Sequence, residues 1–125
     1  MFAMKPLYDL KKLRELCDND QELIEASIKF FYDETINNLS LMMYKLENRE
    51  FEEVRVIAHK VKVNFVFLSC DVCVDLCKKI KNVTTDDEVE QLVNILRIEY
   101  LNVFEQLKKE FSHIVNHQDV GEMLN

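Results

Sequence analysis

The chain has 125 residues, 48% hydrophobic and 31% charged, which suits one globular domain with a single core and excludes a disordered tail. One glycine and one proline in the whole sequence leave too few tight turns for an all-β fold or a glycine-cradled phosphate site. A formal charge of −7 sets the overall field against nucleic acid and anionic membrane surfaces, so the expected partners are proteins.

In chain order, Leu7, Leu10, Leu13, Leu16 and Cys17 recur at helical spacing after Pro6 and predict a short amphipathic helix. Asn19 followed by Glu22 has the form of a capping box, opening a second helix that runs to about Leu46. On it Leu23, Ala26, Phe30, Ile36, Leu39, Met43 and Leu46 are the expected buried stripe. A break at Glu47-Asn48-Arg49 precedes a third helix, near Glu50 to Leu68, and Ser69 with Asp71 supplies capping chemistry for a fourth, near Val72 to Lys81. Thr85 and Glu88 repeat the capping box before a fifth helix. Its Val89, Leu92, Val93, Leu96, Tyr100, Val103, Phe104, Leu107 and Phe111 give the clearest period in the chain. After Phe111 the sequence turns polar, and the last ten or so residues are expected to fray. The sum is an all-α fold: an antiparallel up-and-down four-helix bundle with a short N-terminal capping helix. It forms a single domain over 1–125, with the bundle at about 7–112 and a tail at about 113–125.

No apolar run approaches the roughly 20 residues of a bilayer span. Met1-Phe2-Ala3-Met4 is too short for a secretory signal, so a cytoplasmic protein without membrane insertion is expected. The four cysteines, Cys17, Cys70, Cys73 and Cys77, are expected as reduced thiols. Cys70, Cys73 and Cys77 fall on one helical face, interleaved with Val72, Leu76 and Ile80, which favours core packing over a zinc or redox site. His113 and His117 are four apart but lie where the apolar period is lost, so no metal site is expected there. Phe30, Phe31, Met42, Met43, Phe104 and Phe111 are expected as core.

The third helix carries the chemistry. At about 100° per residue, Val54, Ala58, Val61, Phe65 and Leu68 lie within about 40° of one meridian, and His59 lies about 140° from it. His59 is thereby offered outward, with Arg55 one turn before, Lys62 and Val63 one turn after, Val66 near the same edge and Lys60 alongside. Val56, Val63 and Val66 ring the imidazole with apolar surface, which marks a contact site. A neutral imidazole keeps one ring nitrogen free to attack phosphorus. Lys62 is placed to approach the phosphoryl oxygens as a flexible point charge. No carboxylate lies between Glu53 and Asp71, so magnesium binding and water activation fall to a partner.

The segment Ile57-Ala58-His59-Lys60-Val61-Lys62, with the apolar and small residues that follow to Leu68, resembles the motif of histidine phosphotransfer (HPt) domains of bacterial and fungal phosphorelays. That motif reads Ala-His-x-Leu-Lys-Gly-Ser, with a second small residue, commonly glycine, further on. Ala58, His59, Val61 and Lys62 match it, and the helix order and lengths over roughly residues 7 to 112 extend the resemblance. It implies a phosphocarrier rather than an enzyme, with no cofactor of its own. His59 would accept a phosphoryl group from the aspartate of one receiver domain and pass it to another, and Lys62 would steady the group. Arg55, Val56, Lys60, Val63 and Val66 would meet the receiver domains of response regulators or hybrid histidine kinases. The family's two glycines are Val63 and Ser69 here; Val63, one turn from His59, narrows access while adding apolar contact. The same face also suits a non-catalytic adaptor that binds a receiver domain or kinase, and the cysteines suit a metal or thiol-redox bundle.

Overall fold

In the computed structural model, which describes residues 7–115, the regular elements are five helices. They are α1 (Lys11–Leu16), α2 (Gln21–Glu47), α3 (Phe51–Phe67), α4 (Asp71–Asn82) and α5 (Asp86–Glu110), and no strand occurs among the described residues. Two of them start on side-chain caps. Asp20 Oδ1 accepts from the Leu23 amide at 3.3 Å, and Thr85 Oγ1 accepts from the Glu88 amide at 3.2 Å. The cap predicted at Asn19 therefore sits one residue later, because Asn19 itself is left-handed at φ 58. Nor do Ser69 and Asp71 cap α4, whose N-cap is Cys70 with no side-chain bond.

The helix ends explain how a chain so poor in glycine turns corners. Asp18, Arg49 and Ser69 take φ of 51, 58 and 52, each just past the end of a helix. Their amides bond to the carbonyls of Glu15, Leu46 and Val66, while the next amides, of Asn19, Glu50 and Cys70, bond to Arg14, Lys45 and Phe65. This is the paired closure of a Schellman motif, built with residues whose Cβ costs about 1–2 kcal/mol in that conformation. Ser69→Gly is thus expected to stabilise the fold by up to about 1 kcal/mol once the extra chain entropy of glycine is subtracted. A higher urea midpoint would show this, and a lower one would contradict it.

α3 packs between α2 and α4, α4 packs on α5, and α2 touches α5 more lightly. An aromatic group joins three of these helices: ring centroids lie 4.5 Å apart for Tyr32 and Phe104, 3.7 Å for Tyr100 and Phe104, and 5.4 Å for Phe65 and Tyr100. Beside it Asn64 of α3 donates to Thr35 Oγ1 of α2 at 3.1 Å, and the Thr35 hydroxyl also hydrogen-bonds the Tyr100 phenol of α5. All three side chains are buried, and no buried side-chain polar atom among the described residues lacks a partner. Lys45 reaches Glu50 at 3.3 Å and Glu53 at 2.9 Å, clamping the turn between α2 and α3.

The predicted core faces of α3 and α5 are the buried ones, with Leu92 only half-buried. On α2 the outcome differs. The buried residues are Ile24, Ile28, Tyr32, Thr35, Ile36, Asn38, Leu39 and Met42, so of the predicted stripe only Ile36 and Leu39 are fully buried. Leu23 and Phe30 are 50% and 58% exposed, and Ala26 faces solvent. The cause is a second apolar line: Leu23, Phe30 and Leu41 fall within about 20° of one another, about 150° from the buried face. Leu16 of α1 is likewise exposed.

The ends of the described chain are tied down. The Asp9 amide bonds to the Leu68 carbonyl at 2.9 Å, and the Tyr8 hydroxyl donates to Glu110 Oε2 at 2.5 Å, which lays the segment before α1 across the ends of α3 and α5. Beyond α5, Val115 is buried and the His113 ring meets the Glu25 carboxylate, holding that carboxyl below its usual range. Packed structure thus continues past residue 112 to Val115. Residues 1–6 and 116–125, with the expected frayed end, His117 and Gly121, lie outside the described residues. Among the described residues no helix is long and apolar enough to cross a membrane.

Candidate functional site

Burial of Val54, Ile57, Ala58, Val61, Asn64 and Phe65 fixes the rotation of α3 and leaves His59 on its outer face, exposed. His59 lines a groove of about 340 Å³ together with Glu52, Arg55 and Val56 of α3 and Lys81 of α4. Arg55 is largely covered: its Nη1 donates to Glu52 Oε1 at 2.6 Å and its Nη2 to the Val83 carbonyl at 3.0 Å. That guanidinium joins α3 to the end of α4 and is spent on internal partners, a role its place one turn before His59 did not suggest. Glu52 puts one carboxylate in the groove, two turns from His59 and already paired with Arg55.

Lys62 stands on the α4 side of His59, about 60° round the helix, close enough for its charge to act on the Cys77 thiol. Lys60 takes the α2 side, about 100° away from His59. Val56, Val63 and Val66 are 68%, 49% and 36% exposed, so the apolar ring is present. It continues onto α2: Phe67 stacks on Phe31 with centroids 5.2 Å apart, and Phe31 meets Phe30 edge-on at 5.7 Å. Sequence reasoning assigned Phe30 to the core, where it is instead exposed, and did not find Lys81; Phe31, assigned likewise, is half-buried against the core. The repeat of Lys81 one turn after Cys77 places it on the flank of α4 nearest α3, but only the pairing of the two helices brings it to His59.

All four cysteines are free and buried. Burial pushes the Cys70 and Cys77 thiols up to about 12 and Cys73 higher still, with the charge of Lys62 opposing the effect at Cys77. Cys70, Cys73 and Cys77 are part of the hydrophobic core, and as protonated thiols they are poor nucleophiles. Val72, expected on the same inward stripe, is 54% exposed. Burial also raises the Tyr32 phenol to about 12 and the Tyr100 phenol well above its ordinary value. Each of these groups stays protonated in the fold at a pH where the unfolded chain ionises. The stability they carry is intact below about pH 9 and is lost as pH climbs from there toward about 12. The melting temperature is expected to be level between about pH 7 and 8.5 and to fall steeply above about pH 9.5. A level trace to about pH 11 would contradict the buried protonated cluster.

Compared with protein-family models, curated proteins and solved structures, the chain matches none.

Proposed function

We propose that this chain is a phosphocarrier of the histidine phosphotransfer type, taking a phosphoryl group on His59 from the aspartyl phosphate of one receiver domain and returning it to the aspartate of another. One conjunction carries the reading: an exposed histidine on a helix whose opposite face is fully buried, beside lysines with no ion-pair partner among the described residues, within a ring of exposed valines. The left-handed backbone of Ser69 adds support, since glycine is the residue the family commonly carries at that place. On this reading the four longer helices run as an antiparallel up-and-down bundle capped by α1. Their short connections, Asn48–Glu50, Leu68–Cys70 and Val83–Thr85, favour antiparallel neighbours.

The unprotonated imidazole nitrogen attacks phosphorus, so that a P–N bond forms as the bond from phosphorus to the aspartyl oxygen breaks. The electron pair of that bond stays on the departing carboxylate, and the other ring nitrogen keeps its proton. Donation runs the same step backwards. Lys62 steadies the group, and the receiver supplies magnesium and acidic residues, since the one carboxylate of the groove is paired with Arg55. Val56, Lys60, Val63 and Val66 face the receiver, with Phe30 and Phe31 extending the contact, while Arg55 shapes the groove from behind. Val63, in the place of the family's first glycine, acts as a steric filter on which receiver fits. The work is cytoplasmic, where receiver domains operate.

Incubation with a phosphorylated receiver and magnesium is expected to place acid-labile, alkali-stable label on this chain. If all receivers of the same cell bind it and none labels it, the face belongs to a non-catalytic adaptor instead.

A further inference from the structure

Lys81 lies on a different helix from His59 yet lines the same groove. It is exposed and has no ion-pair partner among the described residues, whereas its neighbour Lys79 is held by Asp75 at 3.0 Å. Arg55, the other cation lining the groove, is taken up by Glu52 and the Val83 carbonyl. That second bond lands two residues after Lys81, so Arg55 fixes the end of α4 against α3 and with it the position of the Lys81 backbone. The charge of Lys62 acts on the Cys77 thiol of α4, and Lys81 follows Cys77 by one helical turn. Lys81 therefore approaches His59 from α4, while Lys62 stands one turn after it on α3, on the side that faces α4.

Charge gives this arrangement its meaning. A phosphoryl group carries up to about two negative charges near neutral pH. It would sit beside Glu52 on a chain of net charge −7, where Lys62 alone leaves about one of those charges unmatched. We propose that Lys81 is a second phosphoryl ligand, so that the group on His59 is held between Lys62 of α3 and Lys81 of α4. The inference rests on the phosphotransfer reading and deepens it: α4 takes part in the chemistry and not only in the core.

The test is the phosphotransfer equilibrium with one receiver, measured for the wild type, Lys81→Gln, Lys81→Arg and Val56→Ala. The equilibrium between the separated phosphorylated proteins depends on how well each holds its phosphoryl group; a residue that only helps docking changes forward and reverse rates together and leaves it unmoved. Lys81→Gln is expected to shift it about tenfold toward the receiver, the scale of one charge-assisted contact near solvent, and Lys81→Arg to restore most of it. Val56→Ala is expected to slow transfer without shifting it. If Lys81→Gln stays within about twofold of wild type, the second ligand is refuted whatever the rates do. If the wild type takes no label at all, the phosphotransfer reading falls and this inference with it. Lys81 is exposed, so the circular dichroism of its variants should match wild type.

Discussion

His59→Gln is expected to reduce labelling by a phosphorylated receiver to background while leaving the fold and the docking face in place. Glutamine is uncharged, helix-compatible and polar, and the site is on the outer face of α3, so the substitution removes no core contact. What it removes is the nucleophile: an amide nitrogen has no free lone pair with which to attack phosphorus. The other described histidine, His113, meets Glu25 beyond the end of α5 and lies outside the groove. Loss of label with receiver binding retained establishes His59 as the carrier. Acid-labile label on the variant would refute that assignment, and loss of receiver binding would show that the substitution disturbs the docking face.

Thr35→Val is expected to destabilise the protein by about 2–4 kcal/mol, although it replaces a side chain by one of nearly equal size. Its hydroxyl serves both the Asn64 amide and the Tyr100 phenol, so its loss strands two buried polar groups at about 1–3 kcal/mol each, less whatever relaxation recovers. Adding Asn64→Leu and Tyr100→Phe to Thr35→Val removes the stranded partners and should recover much of the loss, because an all-apolar replacement has nothing left unpaired. Urea unfolding of the single and triple variants measures both. A Thr35→Val protein within about 0.5 kcal/mol of wild type would show that the three-helix polar contact contributes nothing.

Where one periodic face dominates, the sequence is a sufficient guide. On α5 and α3 the apolar residues mark a single side, and the outward setting of His59, Val56, Val63 and Val66 follows from it. On α2 two apolar lines compete, and the deciding contacts, Thr35 to Asn64 and to Tyr100, join residues far apart in sequence. Turns show the same limit. Asp18, Arg49 and Ser69 occupy left-handed positions that glycine normally announces, so the breaks were legible from polarity while their geometry was not. The groove shared by His59 and Lys81 depends on the pairing of α3 with α4, which no single-helix projection contains.

The two-sided character of α2 bears on how the chain finds its fold. During collapse this helix presents a second, smaller apolar line opposite its main one, so hydrophobicity alone selects its rotation about its own axis less sharply than on α3 or α5. Turned by about 150°, it would swallow Leu23, Phe30 and Leu41 and leave Asn64 and Tyr100 facing hydrocarbon with no hydroxyl to meet them. The small polar lock on Thr35 thus works as a rotational key, rejecting the wrong setting more than it strengthens the right one. By doing so it keeps Phe30 outside and Phe31 half-buried beside α3, so a selection made in the core decides which surface is left for a partner to read.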